Sequence, residues 1–236
     1  MTSTGLEVVS AVSHELRSPL TSIKGYSGLL LQRWSQLDDD AKRGMLEQIH
    51  HDANRVTRLI SELLDVSRIE SGRLVLRRRP VNVPGVVAAV VDKLRLEYPD
   101  LEVAAVFPPG FPTVDADPDK VEQVLINLIE NACKYAAPTG ISIVGERDLG
   151  QIAVTVSDQG AGIPDADLAR VFEKFFCGRE GRPTGSGLGL WISRGLVEAH
   201  GGRLVAESNA GRGASFRLTL PLTDVPLTDL EDGGRL

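Results

Sequence analysis

A histidine beside a glutamate is the first group in the sequence with the residue types for chemistry. His14 and Glu15 lie in the segment "SHELRSPL". A carboxylate that accepts a hydrogen bond from Nδ1–H of an imidazole fixes its tautomer and leaves Nε2 with a free lone pair. Because the reference pKa of histidine is about 6.5, much of this imidazole is expected to be neutral at pH 7. The pair indicates a nucleophile, although a lone histidine on a polar helix face is usually an ordinary surface residue.

Two amphipathic helices are predicted to position this pair. Apolar residues recur at spacings of three and four over 9–30 and again over 46–63, which predicts one buried stripe on each helix. His14 lies opposite the first stripe and is predicted to be exposed, with Ser18 one turn further along the same face. Two such helices cannot enclose a core alone, so the sequence predicts a homodimer that forms a four-helix bundle.

A proline interrupts the first of these helices. Pro19 lacks an amide donor and crowds the carbonyl of Glu15, so a kink is predicted within a turn of His14. A bent helix at this point would admit another domain to the imidazole. The alternative is that Pro19 only curves the helix around its partner, and the two interpretations are compatible.

The pattern changes after the second helix. Ser71 and Gly72 end that helix, and "RLVLR" is a short strand or an extended linker, which places a domain boundary near residue 75 and predicts domains at 1–74 and 75–222. Helices and strands then alternate, so the fold class is α+β, with a helical hairpin followed by an α/β sandwich. Residues 223–236 are predicted to form a flexible tail. The predicted strands are "EVAAVF", "ISIVGE", "IAVTVSD", "GRLVAES" and "ASFRLTL".

The helix "VEQVLINLIENACKYA" carries a second group of polar residues. Asn127 and Asn131 lie four residues apart on one face, with Lys134 and Tyr135 just beyond. Two asparagines in a helix interior cost helix propensity, which favours a functional role. An oxygen donor such as Asn131 suits Mg²⁺ on phosphates. Lys134 is equally compatible with a phosphate contact and with an i,i+4 ion pair to Glu130.

Two glycine-bearing loops follow this helix. In "VSDQGAGIP", Asp158 ends a strand, and its carboxylate can accept a hydrogen bond from the amino group of a base. In "GSGLGL", glycines lead into a helix whose free N-terminal amides suit phosphate oxygens. Either loop alone is more often only a turn, and neither matches a Walker A or Rossmann pattern. The segment between them runs from a phenylalanine anchor to Arg179 and Arg182, which predicts a hinged lid.

Composition excludes several classes of protein. The net charge of −6 and the lack of a clustered positive face argue against nucleic-acid binding, since the only basic run, Arg77 to Arg79, is typical of a solvated linker. No run approaches the roughly 18 apolar residues of a membrane span. Two distant cysteines without a C-x-x-C motif favour a reducing compartment. The remaining histidines, His50, His51 and His200, are predicted to be surface residues.

Five motifs in order resemble those of bacterial sensor histidine kinases. "SHELRSPL" resembles the phosphoacceptor box, "NLIENACKYA" the asparagine box, "DQGAGIP" the first glycine box, "VFEKFF" the phenylalanine box and "GSGLGL" the second glycine box. The resemblance implies an ATP-binding domain of the Bergerat type. It also implies that ATP bound there phosphorylates His14, with Glu15 assisting proton removal, and that an aspartate of a response regulator then receives the phosphoryl group.

The resemblance also assigns roles to matching residues. It makes Asn131 the Mg²⁺ ligand, Asp158 the reader of the adenine amino group, and Lys134 a phosphate contact. The other implied nucleotide-binding residues are Asn127, Tyr135, Gly160, Gly162, Arg179, Gly185, Gly187, Leu188 and Gly189.

The residues bear on two alternative functions and one additional activity. Members that hydrolyse ATP resemble this sequence but carry a glutamate where Asn127 stands, and an asparagine cannot act as that base, which argues against a plain ATPase. A nucleotide-binding scaffold would tolerate loss of His14, Glu15 and Asn131, yet all are present. Ser18 keeps a hydroxyl where relatives with phosphatase activity often have threonine or asparagine, so that activity stays open. The expected location is the cytoplasm, either free or as the cytosolic part of a membrane-associated sensor.

Overall fold

The computed structural model describes residues 3–178, 186–208 and 213–222, with side chains from residue 15 onward. The chain divides into two compact units. The first, here called the helical unit, comprises residues 1–74 and 170–192; the second, the sheet unit, comprises 75–169 and 193–236. The predicted tail at 223–236 lies outside the described residues.

The helical unit contains the predicted hairpin. Its helices are α1 (Ser3–Arg33) and α2 (Asp39–Glu70), and a short 3₁₀ helix at Trp34–Gln36 precedes α2. Asp38 caps α2, because its carboxylate accepts a hydrogen bond from the Ala41 amide at 2.7 Å. Gly72, at φ +64°, follows the end of α2, as expected for a glycine just beyond a helix. Helix α1 continues through Pro19, which is buried.

The sheet unit is built on a five-stranded mixed sheet. Its strand order is β2-β4-β5-β7-β6, where β2 is parallel to β4 and the other pairs are antiparallel. All five predicted strands are present. Their bounds are β2 (Val103–Val106), β4 (Ile141–Asp148), β5 (Gln151–Ser157), β6 (Arg203–Ser208) and β7 (Ala214–Pro221).

A two-stranded sheet was not predicted from the sequence. β1 (Arg79–Val81) pairs antiparallel with β3 (Val114–Ala116). Strands of three residues are too short to show a clear alternation of apolar and polar residues. The segment "RLVLR" itself has no strand, so it is the extended linker of the two alternatives.

The helices are α3 (Val83–Leu94), α4 (Pro118–Tyr135), the short α5 (Asp165–Leu168) and α6 (Gly189–Ala199). Asn82 and Asp117 cap α3 and α4, with a proline in the first turn of each helix. The apolar residues of α4 form a stripe that is buried throughout, so Asn127 and Asn131 lie off the core face. Its members are Val121, Val124, Leu125, Leu128, Ile129 and Ala132.

The prediction that His200 is a surface residue is wrong, although His50 and His51 are exposed. His200 is only 3% exposed. The Asp117 amide donates to its Nε2 at 3.0 Å, and its Nδ1 donates to the Leu196 carbonyl at 2.7 Å. These partners require the neutral Nδ1–H tautomer, because an amide only donates and a carbonyl only accepts. The misjudgement arose because only the tertiary structure brings the start of α4 to this ring.

Acidification is expected to destabilise the fold through His200. Burial lowers the pKa of this imidazole below its ordinary 6.5, although the Leu196 carbonyl opposes the shift. Below about pH 6.5 the unfolded chain therefore binds a proton at this histidine more readily than the folded chain does. As pH falls through this range, the free energy of unfolding decreases by at most about 1.4 kcal/mol per pH unit. Chemical unfolding at pH 7, 6 and 5 measures this slope.

The matched variant is His200→Gln, which cannot titrate. It is expected to show a flatter dependence over the same range. Asp117 titrates in a different pH range: burial raises the pKa of this carboxyl, but hydrogen bonds from the backbone amides of Arg77, Asp119 and Lys120 outweigh burial, and the net pKa is lowered. Its stabilising contribution is lost only as pH falls below about 4. An unchanged slope in His200→Gln would show that another group carries the pH dependence.

Candidate functional site

The helical unit places the predicted nucleophile and its neighbour in α1. The His14 side chain lies outside the described residues, so its predicted exposure stays a prediction. Glu15 is half-buried, and its Oε2 is buried with no hydrogen-bond partner among the described residues. Burial raises the pKa of Glu15, the negative charge of Glu62 adds to the rise, and Arg55 opposes it. Glu15 is therefore a carboxylate with increased proton affinity.

Ser18, the third residue predicted for this helix face, is exposed. It lies four residues beyond His14 on α1, within the same uninterrupted helix. Its hydroxyl is therefore available to solvent and to a bound partner.

The two asparagines of α4 differ in their surroundings. Asn127 donates through Nδ2 to Oγ of Ser193, at 2.9 Å. Asn131 is half-buried and makes no hydrogen bond within the described part of the chain, so its amide oxygen is available to a ligand. Sequence reasoning missed Ser193, which is 2% exposed. The available signal was a small polar residue inside the apolar stripe of α6.

Lys134 forms the ion pair that was one of its two predicted roles. Its Nζ lies 2.5 Å from Oε2 of Glu130, a glutamate that is 7% exposed. A buried carboxylate needs such a partner, so the pair has a structural role. A phosphate contact by Lys134 stays a prediction, as does an adenine contact by Tyr135, which is 59% exposed.

Asp158 is held at the end of β5 by main-chain groups. Its Oδ1 accepts hydrogen bonds from the amides of Gly160, at 2.8 Å, and Ala214, at 3.2 Å. Its own amide donates to the Ala214 carbonyl at 2.9 Å. One carboxylate oxygen thus anchors the group, and Oδ2 has no hydrogen bond among the residues that the structure describes. This is the arrangement of an acceptor presented to an amino group.

Close backbone approaches around Asp158 require glycine. A Cβ on Gly160 would lie 2.6 Å from Cβ of Ala136, and a Cβ on Gly213 would lie 1.9 Å from the Asp158 carbonyl oxygen. Gly213 was not singled out from the sequence. Its signal was a glycine directly before a strand, in "GRGASF". Gly162, which was predicted, adopts φ +78°.

The second glycine box belongs to the helical unit. Gly187 has φ +64°, and a Cβ there would lie 2.6 Å from the Phe175 carbonyl carbon. The Phe175 amide donates to the Gly187 carbonyl at 2.9 Å. Leu188 is completely buried, so a nucleotide contact by this residue would fall to its main chain, and α6 begins at Gly189. The predicted sites Arg179 and Gly185 lie outside the described residues.

The described residues contain no cluster of three histidine, cysteine or carboxylate side chains suited to a metal ion. Among the helices in the described ranges, none is both long and apolar enough to cross a bilayer.

Two family profiles match the chain. Residues 6–72 match the His Kinase A (phospho-acceptor) domain, and residues 116–224 match the histidine kinase-, DNA gyrase B-, and HSP90-like ATPase domain. The first match contains His14, Glu15 and Ser18. The second contains every predicted nucleotide-binding residue.

Relatives and solved structures agree with these profiles. The adaptive-response sensory kinase SasA of Synechococcus sp. strain JA-2-3B'a(2-13) is 36% identical over 91% of this chain, which covers 59% of SasA. Full-length ShkA in complex with AMPPNP is 27% identical at a TM-score of 0.68, covering 91% of this chain and 45% of that one. Histidine kinase ThkA in complex with the response regulator protein TrrA is 27% identical at a TM-score of 0.66, covering 92% of this chain and 61% of that one.

The chain spans from about a quarter to somewhat over half of the length of the curated relatives that it matches. One family assignment follows from the fold, the order of the motifs and the two family profiles. The similarities to SasA, ShkA and ThkA agree with it. The chain belongs to the sensor histidine kinases, and it carries the phosphoacceptor and ATPase-like domains that form their catalytic core.

Proposed function

We propose that this chain transfers the γ-phosphoryl group of ATP to His14 and then donates it to an aspartate of a response regulator. The observation that carries the proposal is Glu15, which directly follows His14 and has a buried carboxylate oxygen without a partner among the described residues. Burial raises the pKa of this carboxyl, so Glu15 is suited to accept a proton. The proposed domains are 1–74 for the phosphoacceptor and 75–222 for ATP binding.

The transfer balances with these groups alone. The Nε2 lone pair of His14 forms a bond to the γ-phosphorus, and the bond from that phosphorus to the bridging oxygen breaks, with its electron pair leaving on ADP. Glu15 takes the proton from Nδ1, so the product is a neutral imidazole bearing the phosphoryl group. The phosphorus–nitrogen bond is reactive enough to pass the group to a carboxylate.

The nucleotide site that we propose uses the predicted residues of the ATPase-like domain. Asp158 accepts from the adenine amino group through its free oxygen, within the loop shaped by Gly160 and Gly162, and Tyr135 lies beside adenine. Asn127 and Lys134 contact the nucleotide on the α4 side. The amides at the start of α6, from Gly187, Leu188 and Gly189 together with Gly185, hold the phosphates under a lid that includes Arg179.

Asn131 would hold Mg²⁺, which supplies charge neutralisation on the phosphates. Its free amide oxygen is the type of ligand that this cation prefers. Hydrolysis of ATP by water is disfavoured, because Asn127 cannot act as a base and its amide is hydrogen-bonded to Ser193.

The dimer and the regulator complete the proposal. A single hairpin leaves Leu20, Leu46, Ile60 and Leu64 each about half exposed, and a second copy that forms a four-helix bundle would cover them. ThkA, a structural relative, forms a complex with a response regulator, and we propose a regulator of the same class as the partner here. We place the reaction in the cytoplasm. The exposed Ser18 hydroxyl is compatible with an additional activity, the dephosphorylation of the response regulator.

Incubation with γ-labelled ATP and Mg²⁺ tests this function. The protein is expected to acquire label that is lost in acid and stable in base, as a phosphorus–nitrogen bond requires. Release of labelled inorganic phosphate without protein label would instead identify a plain ATPase. Nucleotide binding with neither product would identify a scaffold.

Asn131→Asp is expected to reduce the labelling rate about tenfold or more, because the new negative charge repels the phosphates that share its cation. The rate should also depend differently on Mg²⁺ concentration, which a titration from micromolar to millimolar Mg²⁺ measures. Asn54→Asp, an exposed asparagine on α2, is the control and should label as the wild type does. Equal rates and equal Mg²⁺ dependence in both variants would remove Asn131 from the metal site.

A further inference from the structure

Glu62 on α2 interacts with two other parts of the helical unit, the second glycine box and helix α1. Oγ of Ser186, in the second glycine box, donates to its Oε2 at 2.6 Å. Its negative charge also acts on Glu15 of α1. Burial is the main cause of the raised pKa of that carboxyl, and the charge of Glu62 raises the pKa further. One half-buried side chain therefore bonds residues 186–190, here called the glycine segment, and also acts electrostatically on the proton acceptor of the proposed reaction.

The hydrogen bond to Ser186 continues into the main chain before α6. Oγ of Ser186 also accepts from the Leu188 amide at 3.2 Å. A hydroxyl that donates to a carboxylate and accepts from an amide has its single proton committed to one direction. Gly187, between the two residues, is pressed against the Phe175 backbone. By accepting its proton, Glu62 fixes the orientation of the Ser186 hydroxyl. That hydroxyl in turn accepts from the Leu188 amide and so stabilises the turn of the glycine segment at Gly187.

A second contact connects α2 to residues on either side of the glycine segment, Lys174 and Trp191. Lys174 forms an ion pair with Glu70 and lies 4.5 Å from the centre of the Trp191 ring. Glu70 is eight residues beyond Glu62 and its side chain is 46% exposed, so solvent screens that pair. The contact made by Glu62 is less exposed, and Ser186 connects it to the Leu188 amide just before α6.

We propose that Glu62 is a positioning residue for phosphoryl transfer, which holds the glycine segment through Ser186 against the helix pair that carries His14 and Glu15. The inference rests on the proposed function. Positioning has a large effect on such a reaction, because the transfer depends chiefly on alignment and charge neutralisation.

The charges around Glu15 supply a readout that a purely structural role would not change. Arg55 and Glu62 face this carboxyl from α2, and Cys177 faces it from the segment 170–192, where burial and then the charge of Glu15 raise the pKa of the thiol. A neutral residue at position 62 removes a like charge. The pKa of Glu15 should then fall, and the acidic limb of the rate profile should move to lower pH.

The experiment compares single-turnover labelling of His14 at saturating ATP in four variants of the whole chain. Glu62→Ala and Ser186→Ala should each be about tenfold slower, and the double variant should be no slower than either single one, because both remove the same hydrogen bond. Glu62→Gln should be slowed only about threefold, since its amide oxygen still accepts from Ser186, and its acidic limb should lie at lower pH. The affinity for AMPPNP should change by less than about threefold, because the adenine acceptor Asp158 is unaltered.

Glu47→Ala is the matched control, a glutamate on the same helix whose side chain is 72% exposed. It should label within twofold of the wild type. Labelling of Glu62→Ala at the wild-type rate would overturn the inference and leave the proposed function standing. Additive losses in the double variant, or an acidic limb that does not move in Glu62→Gln, would also overturn it. An unlabelled wild-type chain would refute the proposed function and this inference with it.

Discussion

His14→Gln is expected to eliminate the acid-labile, base-stable label altogether. Glutamine is close to histidine in size and polarity, but the lone pair of its amide nitrogen is delocalised into the carbonyl group and is not nucleophilic, so no phosphorus–nitrogen bond should form. The loss should exceed about a thousandfold, since this step removes the bond-forming atom rather than weakening a contact. Autoradiography after incubation with γ-labelled ATP, with acid and base treatment of parallel samples, measures it.

His51→Gln is the control for this substitution. His51 is exposed on α2 and lies within the same family domain, so it tests whether any surface histidine accepts label. It should label as the wild type does, and His14→Gln should bind AMPPNP with unchanged affinity. Label that persists in His14→Gln would show that the nucleophile is another residue, and loss of label in His51→Gln would point to the same conclusion.

Asp158→Asn is expected to weaken ATP binding about a hundredfold. The amide oxygen of asparagine can still accept from the Gly160 and Ala214 amides, so the loop should keep its shape. The NH₂ group of asparagine then replaces the free oxygen and faces the adenine amino group. Because both groups are hydrogen-bond donors, no hydrogen bond can form between them. Loss of a charge-assisted hydrogen bond with an unpaired donor left behind costs about 3 kcal/mol, which is roughly two factors of ten.

Nucleotide specificity makes this prediction sharper. Inosine triphosphate presents a carbonyl where adenine has its amino group, so Asp158→Asn should favour ATP over ITP much less than the wild type does, as competition binding measures. Asp148→Asn is the matched control, because Asp148 also accepts from a backbone amide, that of Leu149, but is exposed at the far end of β4. Equal loss of affinity for ATP and ITP in Asp158→Asn would mean that Asp158 supports the loop and does not read the base.

The sequence by itself determined the elements whose signals are local. The three-and-four spacing of apolar residues predicted α1 and α2, because a helix packs one face against its neighbours and this period does not depend on which neighbour it is. Asn82 and Asp117 cap α3 and α4 through hydrogen bonds that span at most three residues, so the starts of these helices are local features as well. The order of five short motifs identified the family before any geometry was known.

Only the tertiary structure decided contacts between residues that are distant in the chain. His200 was predicted to be a surface residue and is buried under the first residues of α4. Ser193 bonds Asn127 from 66 residues away, and Glu62 bonds Ser186 from 124 residues away. Periodicity and capping report a residue's own element and its immediate neighbours, whereas these contacts depend on how separate elements pack. The sequence therefore determined which side chains are present for the reaction, and folding decided which of them are free and which are held.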